Sequence, residues 1–577
     1  MLGTKTKLIN LSIIIGLFIF LLSVTFVKAD DLNIDLGRHI LSGELILKSH
    51  AIPQTNYFTY TNPDFPFVNH YWLTEVIFYE LFSLFGLPSL FFLKELLIFC
   101  SVGILFSYSL KKYGAFAAGF ASLLIIPIFI VRNTIRPELF GYLFFSLLLM
   151  LLLQFPKNKK YIILIPFMLL LWINLSITFV YGIFLVGTFL IAKRKLLKNK
   201  EIIFLLLSLL VLVINPHGIY GILEPFFLLH ASVFQLSEMQ SIFTAVQTYP
   251  HPIYTYIISV FLVTLGIVIY LIARKQWLLC IVLSVFLIMA TLQNRNITFF
   301  IFIFIPACAF VIQDATRLLQ EKRRIQSIRK IKIFSKILLA VLLLCLSIPF
   351  FTNSFYKTYD MKEEFGLGFY ENIAPAINFM QKTKLPVNIF NNFDVSGYLI
   401  YKTYPSYKPF IDNRPEAYPS NFIEENYFPV FTDARVRKKV FKNYHIHTVF
   451  LQLDSGDQRS RKLALLLSKD KTWRLVYLDS SAIIFTKAPV ADIRKTPNQF
   501  TRDIKSNNNY LELGKLASNF ALLGYLPLAE NALQKANMLN PDSCNIKRLY
   551  YQSNVASGNQ ANADFIKNTN WQCFFYL

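Results

Sequence analysis

One carboxylate, three guanidinium groups and three imidazoles in this sequence could do chemistry at the ends of long apolar runs. They are Asp35; Arg132, Arg136 and Arg295; and His39, His70 and His217. A carboxylate beside an apolar surface can act as a general base. Guanidinium groups hold anions through paired hydrogen bonds. An imidazole can orient the acid, bind a metal or bind an anion. Asn174 and Asn215 stand at the ends of two further apolar runs. Plainer roles stand beside these. Asp35 could cap a helix, and the arginines could pair with outer-loop acids or lipid headgroups. The histidines could be hydrogen-bonded loop residues. The asparagines could close helix ends, and Trp72 and Trp172 could anchor at an interface.

The elements that must position these residues are membrane helices. Of the 577 residues 55% are hydrophobic and only 16% charged, and the mean hydropathy is +0.47. The apolar excess comes in long blocks, which is the composition of a polytopic membrane protein. The runs lie at 8–27, 87–110, 114–131, 138–155, 161–174, 176–192, 201–214, 252–273, 277–291, 297–313 and 334–351, about eleven spans. The net charge of +23 is topological rather than a sign of nucleic-acid binding. Alternate connections carry Lys111-Lys112; Lys157, Lys159 and Lys160; Lys193-Arg194-Lys195; Arg274-Lys275; and Lys322, Arg323, Arg324, Arg329, Lys330 and Lys332. The positive-inside rule puts these, and the N-terminus, in the cytoplasm. The connections holding the candidate residues, and everything from 352 onward, then face outward.

The spacing predicts a transmembrane domain over 1–351, with a first outer loop at 30–84. A small α/β domain follows over 352–489, with β-like runs at Val387–Phe390, Pro409–Asp412, Thr448–Leu451, Trp473–Tyr477 and Ala482–Phe485. Residues 490–509 read as a polar linker. Over 510–577 a 34-residue period places Ala517, Phe520, Gly524, Ala529, Ala536 and Pro541 as in a tetratricopeptide (TPR) repeat, and a degenerate second copy aligns Gly558 and Ala563. Such a tail is a helical cap or a docking surface for a protein partner. Cys544 and Cys573 in this outward tail could form a disulfide. The four other cysteines read as small hydrophobes.

The first outer loop is the richest segment. It holds Asp31-Leu-Asn33-Ile-Asp35, then Arg38-His39, Gly43-Glu44, Pro53, Tyr57-Phe58-Thr59-Tyr60-Thr61 and Asn69-His70-Tyr71-Trp72-Leu73. Later come Arg136-Pro137-Glu138, Trp172-Ile-Asn174, Asn215-Pro216-His217-Gly218, Ser396-Gly397-Tyr398-Leu399 and Ile411-Asp412-Asn413-Arg414. In this ordered set, over about residues 8–486, the chain resembles the bacterial GT-C type polytopic glycosyltransferases. These are relatives of the protein O-mannosyltransferases and the lipid A aminoarabinose transferases. The chain departs from their pattern at Asn33, where an acid is usual, and at Ser176, where many relatives carry His.

The resemblance implies a bacterial inner-membrane enzyme. It would move a sugar from a polyprenyl-phosphate donor to a glycan, lipid or protein acceptor on the outer face. Asp35 would be the base. Arg136, Arg295 and Arg132 would bind the donor phosphate. His39, His70, Asn174 and His217 would support the site or the acceptor. A divalent metal, magnesium or manganese, would sit at Asp35 and His39, although Asn33 contributes no charge to it. Two other readings stand beside this one. A non-catalytic envelope scaffold would use the outer domain and the repeats. A lipid-linked sugar transporter would need ionisable groups at mid-membrane depth, where Glu95 is the main acid.

Overall fold

The computed structural model of the chain describes residues 2–155, 159–228, 239–248, 251–323, 328–453, 457–489, 497–556, 560–569 and 573. Lys157, Arg324, Gly558 and residues 490–496 of the expected linker lie outside the described residues.

Each of the eleven apolar runs is helical over most of its length. Among the described residues five helices are long and apolar enough to cross a membrane: Lys7–Thr25, Leu87–Tyr113, Pro252–Ala273, Asn294–Glu321 and Ile333–Phe351. Ala115–Val131, Glu138–Gln154, Phe179–Ala192 and Trp277–Leu292 are apolar but shorter. The Asn294–Glu321 helix lies at the centre, 78% of its apolar window buried, whereas Ile333–Phe351 is only 28% buried and turns Leu338, Leu342, Leu344 and Leu346 outward. An apolar exterior of this extent belongs in lipid, and the chain is an integral membrane protein. The first and last of these helices pack side by side, with Gly16 against Leu343 and Ala340. Gly86 and Gly114, at φ 72° and 89°, break the chain on either side of Leu87–Tyr113. Positive φ is where glycine costs least.

Residues 30–84, read from sequence as the first outer loop, carry two helices, Leu36–Ser49 and Trp72–Phe85, packed face to face. A Cβ on Gly43 would stand 2.0 Å from the Glu75 carbonyl oxygen, so only glycine allows this approach. Beyond the last apolar helix the chain returns to the loop's start, where Ala29 N–H bonds to the Gly368 carbonyl and Lys28 N–H to that of Glu364, each at 2.9 Å.

The outer domain holds a four-stranded sheet in the order β1-β2-β4-β3. The strands are β1 (Ile389–Asn391), β2 (Thr448–Gln452), β3 (Arg474–Leu478) and β4 (Ala482–Thr486). β1 and β2 are parallel; the other neighbours are antiparallel. The expected strand at Pro409–Asp412 does not form. Pro409 has no N–H for a ladder, and the run is bound instead by one side chain: Asn391 accepts from Phe410 N–H at 2.7 Å and donates to the Ile411 carbonyl at 2.8 Å.

The polar stretch after 490 contains the helix Pro497–Ser506, which buries Phe500 and Ile504 on one face. Tyr510–Leu522 and Leu526–Leu539 form a helical hairpin around Gly524, at φ 82°. Ala517, Phe520, Ala529 and Ala536 are all buried in it or beneath it. This hairpin shares a hydrophobic core with the sheet. Arg461 is tied to Ser518 and Asn519, and Asn519 donates to the Asp479 carbonyl. Cys544 and Cys573 form a disulfide.

Candidate active site

Asp35 is the N-terminal flanking residue of Leu36–Ser49, yet its carboxylate makes no capping hydrogen bond. It is directed at cations and an amide. Arg136 reaches Oδ2 at 3.1 Å, Arg38 stands 3.8 Å from Oδ1, and Asn413 Nδ2 donates to Oδ1. Asn413 also donates to the Ile34 carbonyl at 3.1 Å and accepts from Arg38 Nε at 2.9 Å. The side chains of Asp35 and Arg136 keep 18% and 16% exposure, and Asn413 is half-buried, whereas Arg38 is buried. Asn33 turns elsewhere, donating to Asp30 and to the Tyr370 carbonyl.

Behind Asp35 lies a buried polar chain. His39 Nδ1 is 2.9 Å from Glu75 Oε1, Asn69 Nδ2 donates to Glu75 Oε2 at 2.6 Å, and Arg38 stands 3.9 Å from Glu75. Burial works to raise the Glu75 carboxyl, but the hydrogen bond from His39 and the charge of Arg38 outweigh it and hold the group below the usual carboxylate range. Burial and then Arg38 push His39 down. A neutral His39 therefore donates from Nδ1 to an ionised Glu75, and its Nε2 faces the Arg38 guanidinium at 3.4 Å. Asp35 and His39 thus both face guanidinium groups. These residues do not fit a divalent ion in this arrangement, and no group of three or more His, Cys, Asp or Glu able to hold one gathers among the described residues.

The other expected residues fall into two groups. Arg132 and Arg295 converge on one carboxylate, Glu138, each at 2.9 Å and on different oxygens. Arg132 is buried, while Arg295 keeps 24% side-chain exposure. Tyr71 lies in the field of Arg295, Glu416, Glu138 and Arg38, so it stands between this second cluster and the first. His217 Nε2 accepts from Asn69 N–H at 3.1 Å and so joins the Glu75 chain. His70 is buried and pushed down to about 3, by burial first and by His217 second, which leaves it neutral at pH 7. Asn174 braces Trp72 Nε1 at 3.0 Å and the Ile214 carbonyl at 3.0 Å. Trp72, Asn174, Ile214 and Pro216 also line an apolar groove of about 400 Å³.

Arg38, Glu75, Glu138 and Asn413 have no role in the reading from sequence, although Arg38, Glu138 and Asn413 lie within quoted motifs and Glu75 lies two residues beyond one. The one-turn spacing of Arg38 from Asp35 is the signal that points to the first of them.

Among solved structures, the chain matches the archaeal oligosaccharyltransferase AglB from Archaeoglobus fulgidus, in complex with an inhibitory peptide and a dolichol-phosphate. The TM-score is 0.51 and the identity 11%, over 92% of this chain and 85% of that one. The apo form of the Archaeoglobus fulgidus oligosaccharyltransferase matches at TM-score 0.53 and 10% identity, over 83% and 74%. The chain has the GT-C fold. No family model and no curated relative matches its sequence. In this GT-C chain Asp35, Arg136 and Glu138 come from the first outer loop and the start of the Glu138–Gln154 helix, while Asn413 comes from the outer domain. The candidate site is therefore shared between the apolar helices and the sheet domain that follows them.

Proposed function

We infer that this protein is a membrane glycosyltransferase, moving a sugar from a polyprenyl-phosphate donor to an acceptor hydroxyl at the outer face. The observation that carries this reading is the contact of Asp35 with Arg136, an acid and an anion binder in one partly open pocket. The dolichol-phosphate of the matched oligosaccharyltransferase complex supports a lipid phosphate as donor. The apolar groove at Trp72 and Pro216 suits the polyprenyl chain.

In the reaction, the acceptor O–H gives its proton to Asp35 and its oxygen bonds to the anomeric carbon. The bond from that carbon to the phosphate oxygen breaks, and polyprenyl phosphate leaves. Its added negative charge is met by Arg136 and Arg295, which are preorganised by their carboxylates. Donor binding draws Arg136 toward the phosphate and frees Oδ2 of Asp35 to act as base. Glu75 and His39 hold Arg38 in place. No step runs through a metal, because guanidinium groups occupy the positions a divalent ion at Asp35 and His39 would need. The disulfide at Cys544 supports an outward, oxidising location for the tail, and the bacterial inner membrane fits that location. The tail's packing on the sheet domain favours a cap over a free arm for a protein partner.

The test is transfer of radiolabelled sugar from a panel of polyprenyl-phosphate donors, in membranes carrying the wild type or Asp35→Asn at equal abundance. Transfer by the wild type that the variant loses supports the reading. Equal transfer by both removes Asp35 from the role of base. Absence of transfer across the whole panel turns the assignment to the envelope scaffold.

A further inference from the structure

A cavity of about 620 Å³ lies beside the site and is used by nothing described so far. Its walls come from three distant stretches: the outer loop near 54–68, the segment 216–224 and the outer-domain segment 415–423. A volume of this size suits a small ligand or the end of a larger one. Its chemistry is specific. Phe65, Tyr220 and Tyr418 supply aromatic surface, and Gln54, Glu224 and Glu416 supply polar groups. Among the described residues no Lys or Arg lines it. Burial raises both carboxyls above the usual range, and neither is paired with another side chain among the described residues. Two acids without a lining base repel an anionic guest.

A polar chain links this cavity to the Asp35 cluster. His217 lines the cavity and accepts from Asn69, whose side chain holds Glu75, which in turn holds His39. Tyr71 lies in the fields of Glu416 on the cavity side and of Glu138 and Arg295 on the other.

An extended peptide would seek free backbone groups along the wall. Here the loop's ribbon uses them internally, Asn56 N–H to the Phe65 carbonyl and Phe67 N–H to the Gln54 carbonyl, each at 2.9 Å. What remains are aromatic faces and carboxyls. These match a sugar ring, which has an apolar face of C–H groups and a rim of hydroxyl donors. We propose that this cavity is the acceptor subsite and takes an uncharged, hydroxyl-rich group, the terminal sugar of a neutral glycan. As an acceptor site it rests on the transfer reading above; as a sugar site it stands apart from it.

The experiment is saturation-transfer NMR on the full chain in nanodiscs, with methyl β-glucoside, methyl glucuronide and a short uncharged serine peptide as probes. The wild type is expected to saturate the neutral glycoside and neither of the others. Tyr220→Ala, at a residue 69% exposed, should weaken the glycoside signal at least tenfold with the melting temperature unchanged. Glu416→Gln should admit the glucuronide. Asp35→Asn should leave glycoside binding unchanged, so loss of transfer and loss of this subsite are read separately. Saturation of the peptide in place of the glycoside overturns the proposal, and so does an undiminished signal in Tyr220→Ala. A wild type that saturates no probe overturns it as well.

Discussion

Gly397→Ala should disable the site from the far side of the fold. Gly397 opens the helix Ser396–Thr403 in the outer domain. A Cβ there would stand 1.6 Å from the Ile34 carbonyl oxygen and 2.8 Å from its carbon. Real Cβ atoms do not come within 3.0 Å, so the gap from 1.6 to 3.0 Å requires an opening of about 1.4 Å against backbone. The peptide that must move is the one leading into Asp35, and Asn413, which bonds both Ile34 and Asp35, lies 3.2 Å from the same Cβ. Misplacing a reacting group by about 1 Å can cost on the order of 100-fold in rate, and overpacking costs about 1–3 kcal/mol in stability. Gly397→Ala should therefore insert normally, melt earlier and transfer sugar at roughly one hundredth of the wild-type rate. Gly266→Ala is the control, because nothing lies within 4 Å of its Cβ position. Transfer and melting of Gly397→Ala at the level of Gly266→Ala would refute the idea that the outer domain positions Asp35 through Ile34.

Arg136→Gln should lower transfer by on the order of 100-fold, as loss of a preorganised charge does, with unchanged abundance; a rate within twofold of wild type in the same radiolabel assay counts against phosphate binding by this residue. Glu75→Gln should cost on the order of 3 kcal/mol at pH 7, because it strips the partner from buried Arg38. The Glu75 carboxyl is depressed in the folded protein, so its contribution is present above the ordinary value of 4.5 and is lost as pH falls through the folded value. The difference in Tm between wild type and Glu75→Gln should then close below pH 4.5, and a gap independent of pH would speak for packing alone. Asp31 behaves oppositely. Burial lifts its carboxyl from 3.8 to about 6, against the pull of Lys94 and Arg136. The folded protein binds this proton more readily than the unfolded chain, so stability falls as pH rises from 3.8 to about 6. Asp31→Asn should stabilise at pH 7 by on the order of 3 kcal/mol and have no effect near pH 3.5, read as Tm across pH.

The membrane helices were legible because lipid demands long apolar runs and the alternation of lysines and arginines marks the loops between them. The contact of Asp35 with Arg136 was half legible: both residues sit in short motifs, but their pairing spans the bundle. Glu138 as the common partner of Arg132 and Arg295 was not, since Arg295 lies 157 residues away and no local pattern encodes that distance. Nor was Asn413, which in sequence is one polar residue in a turn. The Pro409–Asp412 run looked like a strand because it is apolar; a single buried asparagine captured its backbone first. The helix at Pro497–Ser506 was hidden by its polar composition, although Phe500 and Ile504 carry the four-residue spacing of a one-sided helix.

Asn413 meets Asp35 across 378 residues of chain. Translation runs from the N-terminus, so the acid is made and delivered long before the amide that orients it exists. Throughout that interval the loop holding Asp35 lacks Asn413, and it lacks the bonds from Arg414 to Asn56 and from Thr61 to the Phe410 carbonyl as well. A nascent or truncated chain thus carries its reactive carboxylate without the groups that aim it. On the role proposed above for Asp35, completion of the polypeptide is the arming step, and partly built copies in the bilayer stay silent.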